Sequence, residues 1–176
     1  MTYLSPLSGF LGLPKKTKSK NCVCVVPFGL EKSVSYGSGT KNGPKAILKA
    51  SHQVELFNEE LLQDSYQNFQ INTLKPFKIK EKLTDALNQL SKITKNILDK
   101  KEFPLILGGE HSITPGIIKA FSQKYKKITI LQIDAHADLR DGYEGEKFSH
   151  ASAMRRCLDC KNIEIISFGI RNLCSD

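Results

Sequence analysis

The sequence predicts an α/β fold built on parallel strands. Three observations carry this expectation. Short apolar runs rich in β-branched residues recur at 22–27, 104–107, 128–133 and 163–168. Segments of helical period lie between them, and Gly or Pro punctuates many of the joins. Strands separated by helices join most simply as parallel neighbours, through right-handed crossovers.

In chain order, residues 1–20 read as a peripheral arm, with Pro6, Gly9, Gly12 and Pro14 ahead of Lys15, Lys16, Lys18 and Lys20. The run Cys22-Val-Cys-Val-Val-Pro27 reads as a buried strand that ends at its proline. From Ser33 to Pro44, Gly37, Gly39, Gly43 and several hydroxyls predict a loop. Pro44 then suits the first position of a helix running to Ser51. A short strand is expected over 53–57, while 58–78 has no clear period. From Ile79 to Lys101 the apolar residues Ile79, Leu83, Leu87, Leu90, Ile93 and Ile97 share one helical face. Pro104 to Leu107 predicts a strand stopped by Gly108-Gly109. Thr114-Pro115 reads as an N-cap and first helical residue, opening a helix to Lys126. Strands over 128–133 and 163–168 complete the order, with Gly169 ending the last.

The 176 residues suit one domain, and 40% hydrophobic with 25% charged residues suits a globular core. No apolar run approaches the roughly 20 residues of a membrane span. The net charge of +8 comes from scattered lysines, dense only at 15–20 and without any nucleic-acid motif. Neither a membrane nor a nucleic acid is therefore expected as a partner. Cys22 and Cys24 read as core thiols. Cys157-x-x-Cys160 lacks the second pair or the histidines a zinc site needs. Reduced thiols and the absence of a positive stretch ahead of the first apolar residues point to the cytoplasm.

Two motifs carry chemistry. Gly108-Gly109-Glu110-His111-Ser112 follows one predicted strand, and Asp134-Ala135-His136-Ala137-Asp138 follows the next. Ligand sites of parallel sheets lie beyond the carboxyl ends of their strands. Alternation in an extended segment would put Asp134, His136 and Asp138 on one side, spaced by small alanines. His111 would approach from the neighbouring strand end, with Gly108 and Gly109 allowing a tight turn. Carboxylates and imidazoles without thiolates favour Mn, Fe(II) or Zn.

These motifs resemble those of the ureohydrolase family of arginases and agmatinases, in its agmatinase-like branch. Gly142-Tyr-Glu-Gly145, Ser149-His-Ala-Ser-Ala-Met-Arg-Arg156, the loop Ser35-Tyr-Gly-Ser-Gly-Thr40 with Gly43-Pro44-Lys45-Ala46-Ile47, and Phe168-Gly-Ile-Arg171 extend the resemblance. It implies one ureohydrolase-like domain over 1–176, the N-terminal portion of a doubly wound, arginase-like three-layer α/β/α sheet. It implies a binuclear Mn²⁺ site, with His111, Asp134 and Asp138 on one ion and Asp134 and His136 on the other. A hydroxide between the ions would attack the guanidinium carbon, and His150 matches the residue that transfers protons. Agmatine, giving putrescine and urea, is the leading substrate; arginine and guanidinobutyrate are the alternatives. Glu110 is expected to support His111 without ligating, and Asp141, Glu144 and Glu146 to attract a cationic substrate.

The resemblance also implies a third motif, Ser-x-Asp-x-Asp, which has no match in these residues. Two divalent ions would then face only the carboxylates of Asp134 and Asp138. Weak metal binding, and at best one well-held ion, follows. A chain truncated at its C-terminus, inactive unless a complementing C-terminal polypeptide or a homo-oligomer completes it, is the alternative expectation.

Overall fold

A computed structural model describes residues 1–14, 19 and 21–174. Five strands are present among them: β1 (Cys22–Phe28), β2 (Gln70–Thr73), β3 (Phe103–Gly108), β4 (Ile128–Ile133) and β5 (Ile163–Phe168). The α-helices are α1 (Gly43–Ala50), α2 (Leu83–Asp99), α3 (Thr114–Ser122) and α4 (Ala153–Cys157). Every named strand pair is parallel, so the α/β expectation holds. Hydrogen bonding groups the strands into two sheets, of order β2-β1-β3 and β4-β5. The chain forms two compact units. One comprises Met1–Gly29, Gly39–Lys78 and Asn96–Gly109; the other comprises Leu30–Ser38, Ile79–Lys95 and Glu110–Asp176.

In the first unit β1 is the central strand, and Cys24, Val25, Val26 and Phe28 are completely buried. An uninterrupted apolar run suits a strand covered on both faces. It continues one residue past Pro27, contrary to the expected stop. The Val25 carbonyl accepts the Leu74 N–H at 2.9 Å, so Val25 faces β2. Pro27, two residues on, faces the same side, where the β2 register has already ended at Thr73. Its missing N–H therefore leaves no ladder bond unmade.

The strand expected over 53–57 does not form. Ser51–Gln53 is a 3-10 turn continuing α1, and His52 Nε2 lies 2.7 Å from the Gly9 carbonyl oxygen. The strand beside β1 is instead Gln70–Thr73, in the stretch without a period. Its partners come from the first residues of the chain. Leu4 N–H donates to the Thr73 carbonyl at 2.8 Å, and Phe10 N–H to the Thr73 hydroxyl at 2.9 Å. The arm is thus fastened along β2 over its described part. The lysines at 15, 16, 18 and 20 lie outside the described residues.

Helix α2 starts at Leu83, four residues later than its period suggests, and Lys80 N–H bonds the Gln89 side chain at 3.0 Å. Helix α3 starts at Thr114 itself. A 3-10 turn over His111–Ile113 leads into it, so Thr114 is not its cap. The helix ends at Ser122, short of Lys126, and Asn162 Nδ2 closes the end through the carbonyls of Ser122 (3.0 Å) and Tyr125 (2.7 Å).

In the second unit, one face of β4–β5 packs Ile130 and Ile165 against Ala153, Met154 and Cys157 of α4, with Ile118 of α3. Burial pushes the Cys157 thiol up to about 12, as befits a core thiol. The opposite face exposes Leu131, Ile133, Ile166 and Phe168 at 59–77% of their surface. Parallel sheets are normally covered on both faces. Contiguous exposed apolar patches mark interaction surfaces or aggregation liabilities. Leu131 and Ile166 are register partners on it. Leu131→Lys with Ile166→Lys is expected to reduce concentration-dependent self-association, read by light scattering, while leaving the helix signal in circular dichroism unchanged.

Candidate metal centre

The site lies in the second unit, at the end of β4 and the start of α3. Ligand atoms of His111, Asp134 and Asp138 all fall within 4.8 Å of one another. His111 Nδ1 lies 2.6 Å from Asp138 Oδ2 and 3.5 Å from Asp134 Oδ2. The three side chains are partly shielded, His111 at 30%, Asp134 at 25% and Asp138 at 10% exposure. One imidazole facing two carboxylates at this range is a donor set that fits a borderline or hard divalent ion, Mn²⁺ included.

His136 stands apart from this trio. Its side chain is 61% exposed, with Nδ1 3.8 Å from Asp134 Oδ1. The expected alternation fails because the chain leaves strand geometry after Ile133, and Asp138 sits in the left-handed region at φ 53°. His136 is therefore not brought to the point where His111, Asp134 and Asp138 meet. The chain bends at Gly109 and Glu110 after β3, and the left-handed glycine beside the site is Gly169, at φ 88°. A Cβ on Gly169 would come within 3.2 Å of the Asp134 carbonyl, so its bareness lets the end of β5 run close beside Asp134. The Phe168 carbonyl accepts the Asp134 N–H at 3.0 Å, and the Ala135 carbonyl accepts the Arg171 N–H at 2.9 Å.

Helix α4 holds the other side of the loop. The Arg155 N–H donates to the Asp138 carbonyl at 3.0 Å, supporting that left-handed residue. The Arg156 side chain is 1% exposed; its Nη2 donates to Asp141 Oδ1 at 2.5 Å, and its Nε lies 3.4 Å from Asp159 Oδ2. The guanidinium holds the Asp141 carboxyl below its ordinary range through that hydrogen bond and its charge. Asp141 is thus paired with Arg156, which offsets part of the negative charge expected to attract a cationic substrate. Glu146 accepts the Phe148 N–H at 2.9 Å. Removing the exposed Asp141 leaves a buried cation to the more distant Asp159 carboxylate, whereas removing Arg156 leaves a carboxylate in water. Asp141→Asn is accordingly expected to lower the melting temperature more than Arg156→Met; thermal denaturation followed by circular dichroism checks the order.

Glu110 is 5% exposed. Its carboxylate accepts the N–H groups of Lys32 (2.6 Å) and Ser33 (2.8 Å), the Ser33 hydroxyl (2.9 Å) and the Ser112 hydroxyl. Burial alone would raise its pKa, but these bonds outweigh burial and hold it below the usual glutamate value. Four donors therefore converge on the Glu110 carboxylate, one residue before His111.

His150 lines a cavity of about 770 Å³ together with Ser35, His136, Asp138, Arg140 and Tyr143. Its backbone N–H donates to Ser33 Oγ at 3.0 Å. Ring nitrogens Nδ1 and Nε2 lie 3.4 Å from Ser33 Oγ and 3.1 Å from Ser35 Oγ. Tyr143 meets the imidazole edge-on, with centroids 5.8 Å apart and planes at 81°. Ser33 and Tyr143 have no role in the sequence reading beyond a loop and a motif. The cluster of hydroxyls at 33–40 was the available signal.

The profile of the Arginase family matches residues 21–176. An N(1)-aminopropylagmatine ureohydrolase of Synechocystis sp. is 34% identical over 162 residues, covering 88% of this chain and 52% of that protein. An agmatinase of Bacillus cereus is 33% identical over 163 residues, covering 90% and 54%. The crystal structure of the agmatine ureohydrolase of Thermoplasma volcanium superposes with a TM-score of 0.73 at 28% identity, covering 89% of this chain and 52% of that one. The chain spans about half the length of the curated relatives it matches.

Proposed function

The chain belongs to the arginase family, and from that premise we propose that it serves the hydrolysis of a guanidino compound to urea and an amine, with agmatine the leading substrate and putrescine the amine. The observation that carries this reading is the convergence of His111, Asp134 and Asp138 on one point at the end of β4. These three would hold one Mn²⁺. Asp134, shared with His136, would take part in holding a second. When bound, divalent ions lower the pKa of water, which supplies a nucleophile near neutral pH.

The chain's own residues do the rest. Asp138 and His150 border the same cavity, so a guanidinium seated there has an acceptor on one wall and a proton carrier on another. Addition of water to the guanidinium carbon is followed by cleavage of the bond to the tail nitrogen. His150 takes up the proton released as water adds and delivers it to that nitrogen, which leaves as the amine. Arginine and guanidinobutyrate remain the competing substrates, and the cytoplasm the proposed compartment. No helix among the described residues is long and apolar enough to cross a membrane.

One observation favours a second reading, a chain that is inactive until a homo-oligomer or a complementing C-terminal polypeptide completes it. The apolar face of β4–β5 is exposed, and among the described residues the ligand cluster at the end of β4 has two carboxylates. Urea release from agmatine by the purified chain, with excess Mn²⁺ and a metal-free control, separates the two. Mn²⁺-dependent turnover lost in Asp134→Ala supports the enzyme. A folded chain without turnover supports the incomplete one.

A further inference from the structure

We propose that Ser33, itself held by Glu110, sets the tautomer of His150, so that Nδ1 carries the imidazole proton and Nε2 is the bare, basic nitrogen. The argument is a count of protons. A serine hydroxyl has one proton to give and two lone pairs to offer. Ser33 Oγ lies 2.9 Å from Glu110 Oε1, and a carboxylate only accepts, so the single proton goes there. The acceptor role of Glu110 does not depend on that bond alone. The N–H groups of Lys32 and Ser33 and the hydroxyl of Ser112 also point at it.

What Ser33 shows to His150 is therefore only lone pairs. One accepts the His150 backbone N–H at 3.0 Å. The other lies 3.4 Å from Nδ1, which must be the donor. Nε2, 3.1 Å from Ser35 Oγ, then accepts the proton of that hydroxyl. Turning the ring over would trade both nitrogens for carbons at these two hydroxyls and lose both contacts. The edge-on Tyr143 ring restricts that rotation further.

Ser33 and Glu110 thereby become positioning residues that act through His150. Nε2 is left as the atom able to take up a proton once a cavity ligand displaces the Ser35 hydroxyl. That use rests on His150 being the proton carrier proposed above; the tautomer itself does not.

The test is the ¹⁵N spectrum of the full chain, histidine-labelled and without added metal, at about pH 8.5, roughly two units above the ordinary histidine pKa. His150 is assigned by the signal lost in His150→Gln. Nδ1 is expected at a pyrrole-type and Nε2 at a pyridine-type shift. Ser35→Ala should keep that pattern. Ser33→Ala should let the tautomers interchange and draw the two shifts together. In Glu110→Gln the new amide can donate to Ser33 Oγ, which frees the serine proton for Nδ1 and moves the ring proton to Nε2. A wild-type ring protonated at Nε2 overturns the proposal, and so does a Ser33→Ala spectrum identical to wild type. Should Glu110→Gln not fold, those two measurements still decide. Absence of urea release would count against the proposed reaction and leave this result standing.

Discussion

Mn²⁺ is expected to stabilise the chain, and Asp134→Ala to remove that stabilisation while changing the ion-free protein little. In the wild type one ion per chain should bind, on His111, Asp134 and Asp138. A ligand that binds only the folded state at about 100 times its Kd contributes roughly 2.7 kcal/mol. For a chain of this size that raises the melting temperature by roughly 5–10 °C. Without Asp134, a doubly charged ion would face one carboxylate and one imidazole. Loss of an outer supporting group already costs about 10- to 100-fold in affinity. Loss of a direct carboxylate should exceed that and abolish the thermal shift. In the ion-free chain two effects oppose each other. The substitution removes the acceptor of the His136 N–H, 3.0 Å away, worth about 1 kcal/mol. It also relieves the crowding of two carboxylates around one imidazole. Differential scanning fluorimetry with and without Mn²⁺ reads both. A variant that keeps the wild-type shift would sink the ligand assignment.

What could be read from the sequence follows from where each element finds its partners. Strands β1, β3, β4 and β5 are written as local apolar runs, and their positions emerge within a residue or two. Strand β2 is not. Gln70-Ile-Asn-Thr73 has no strong strand composition, and it becomes a strand because β1 lies on one side and the chain's first residues bond to its end. Helix α4 has five residues, too few for a period to show, yet Met154, Arg156 and Cys157 are all buried. The trio His111, Asp134 and Asp138 was legible as a cluster because these three ligand-type residues sit in two short motifs after strands. The conformation of the second motif was not. Alternation would have made His136 an equal partner, but Asp138 takes a left-handed backbone that the Arg155 N–H supports from a distant helix. The clasp on His150 joins residues 117 positions apart, a pairing that no local pattern encodes.

Gly29→Ala should be the most damaging small substitution in the first unit. Gly29 follows the last residue of β1, and its backbone is not in the left-handed region, so conformational freedom is not the reason for glycine. The reason is space. A Cβ there would stand 2.1 Å from the Lys41 carbonyl oxygen, 3.0 Å from its carbonyl carbon and 3.3 Å from its Cα. All three are backbone atoms, so no rotamer change can relieve the overlap. Lys41 belongs to the 3-10 turn Thr40–Asn42 that runs directly into α1 at Gly43. A Cβ on Gly43 would itself come within 3.2 Å of the Gly108 carbonyl oxygen at the end of β3. The turn therefore cannot retreat without disturbing α1. Overpacking of this kind costs about 1–3 kcal/mol, and a clash confined to backbone belongs at or above the top of that range. Gly142→Ala is the matched control, since its Cβ would meet nothing closer than 3.6 Å and its φ is not positive. It should stay within about 0.5 kcal/mol of wild type. Urea denaturation of both variants checks the contrast: equal midpoints would mean that the Lys41 turn yields freely, and that the ends of β1 and β3 do not constrain α1.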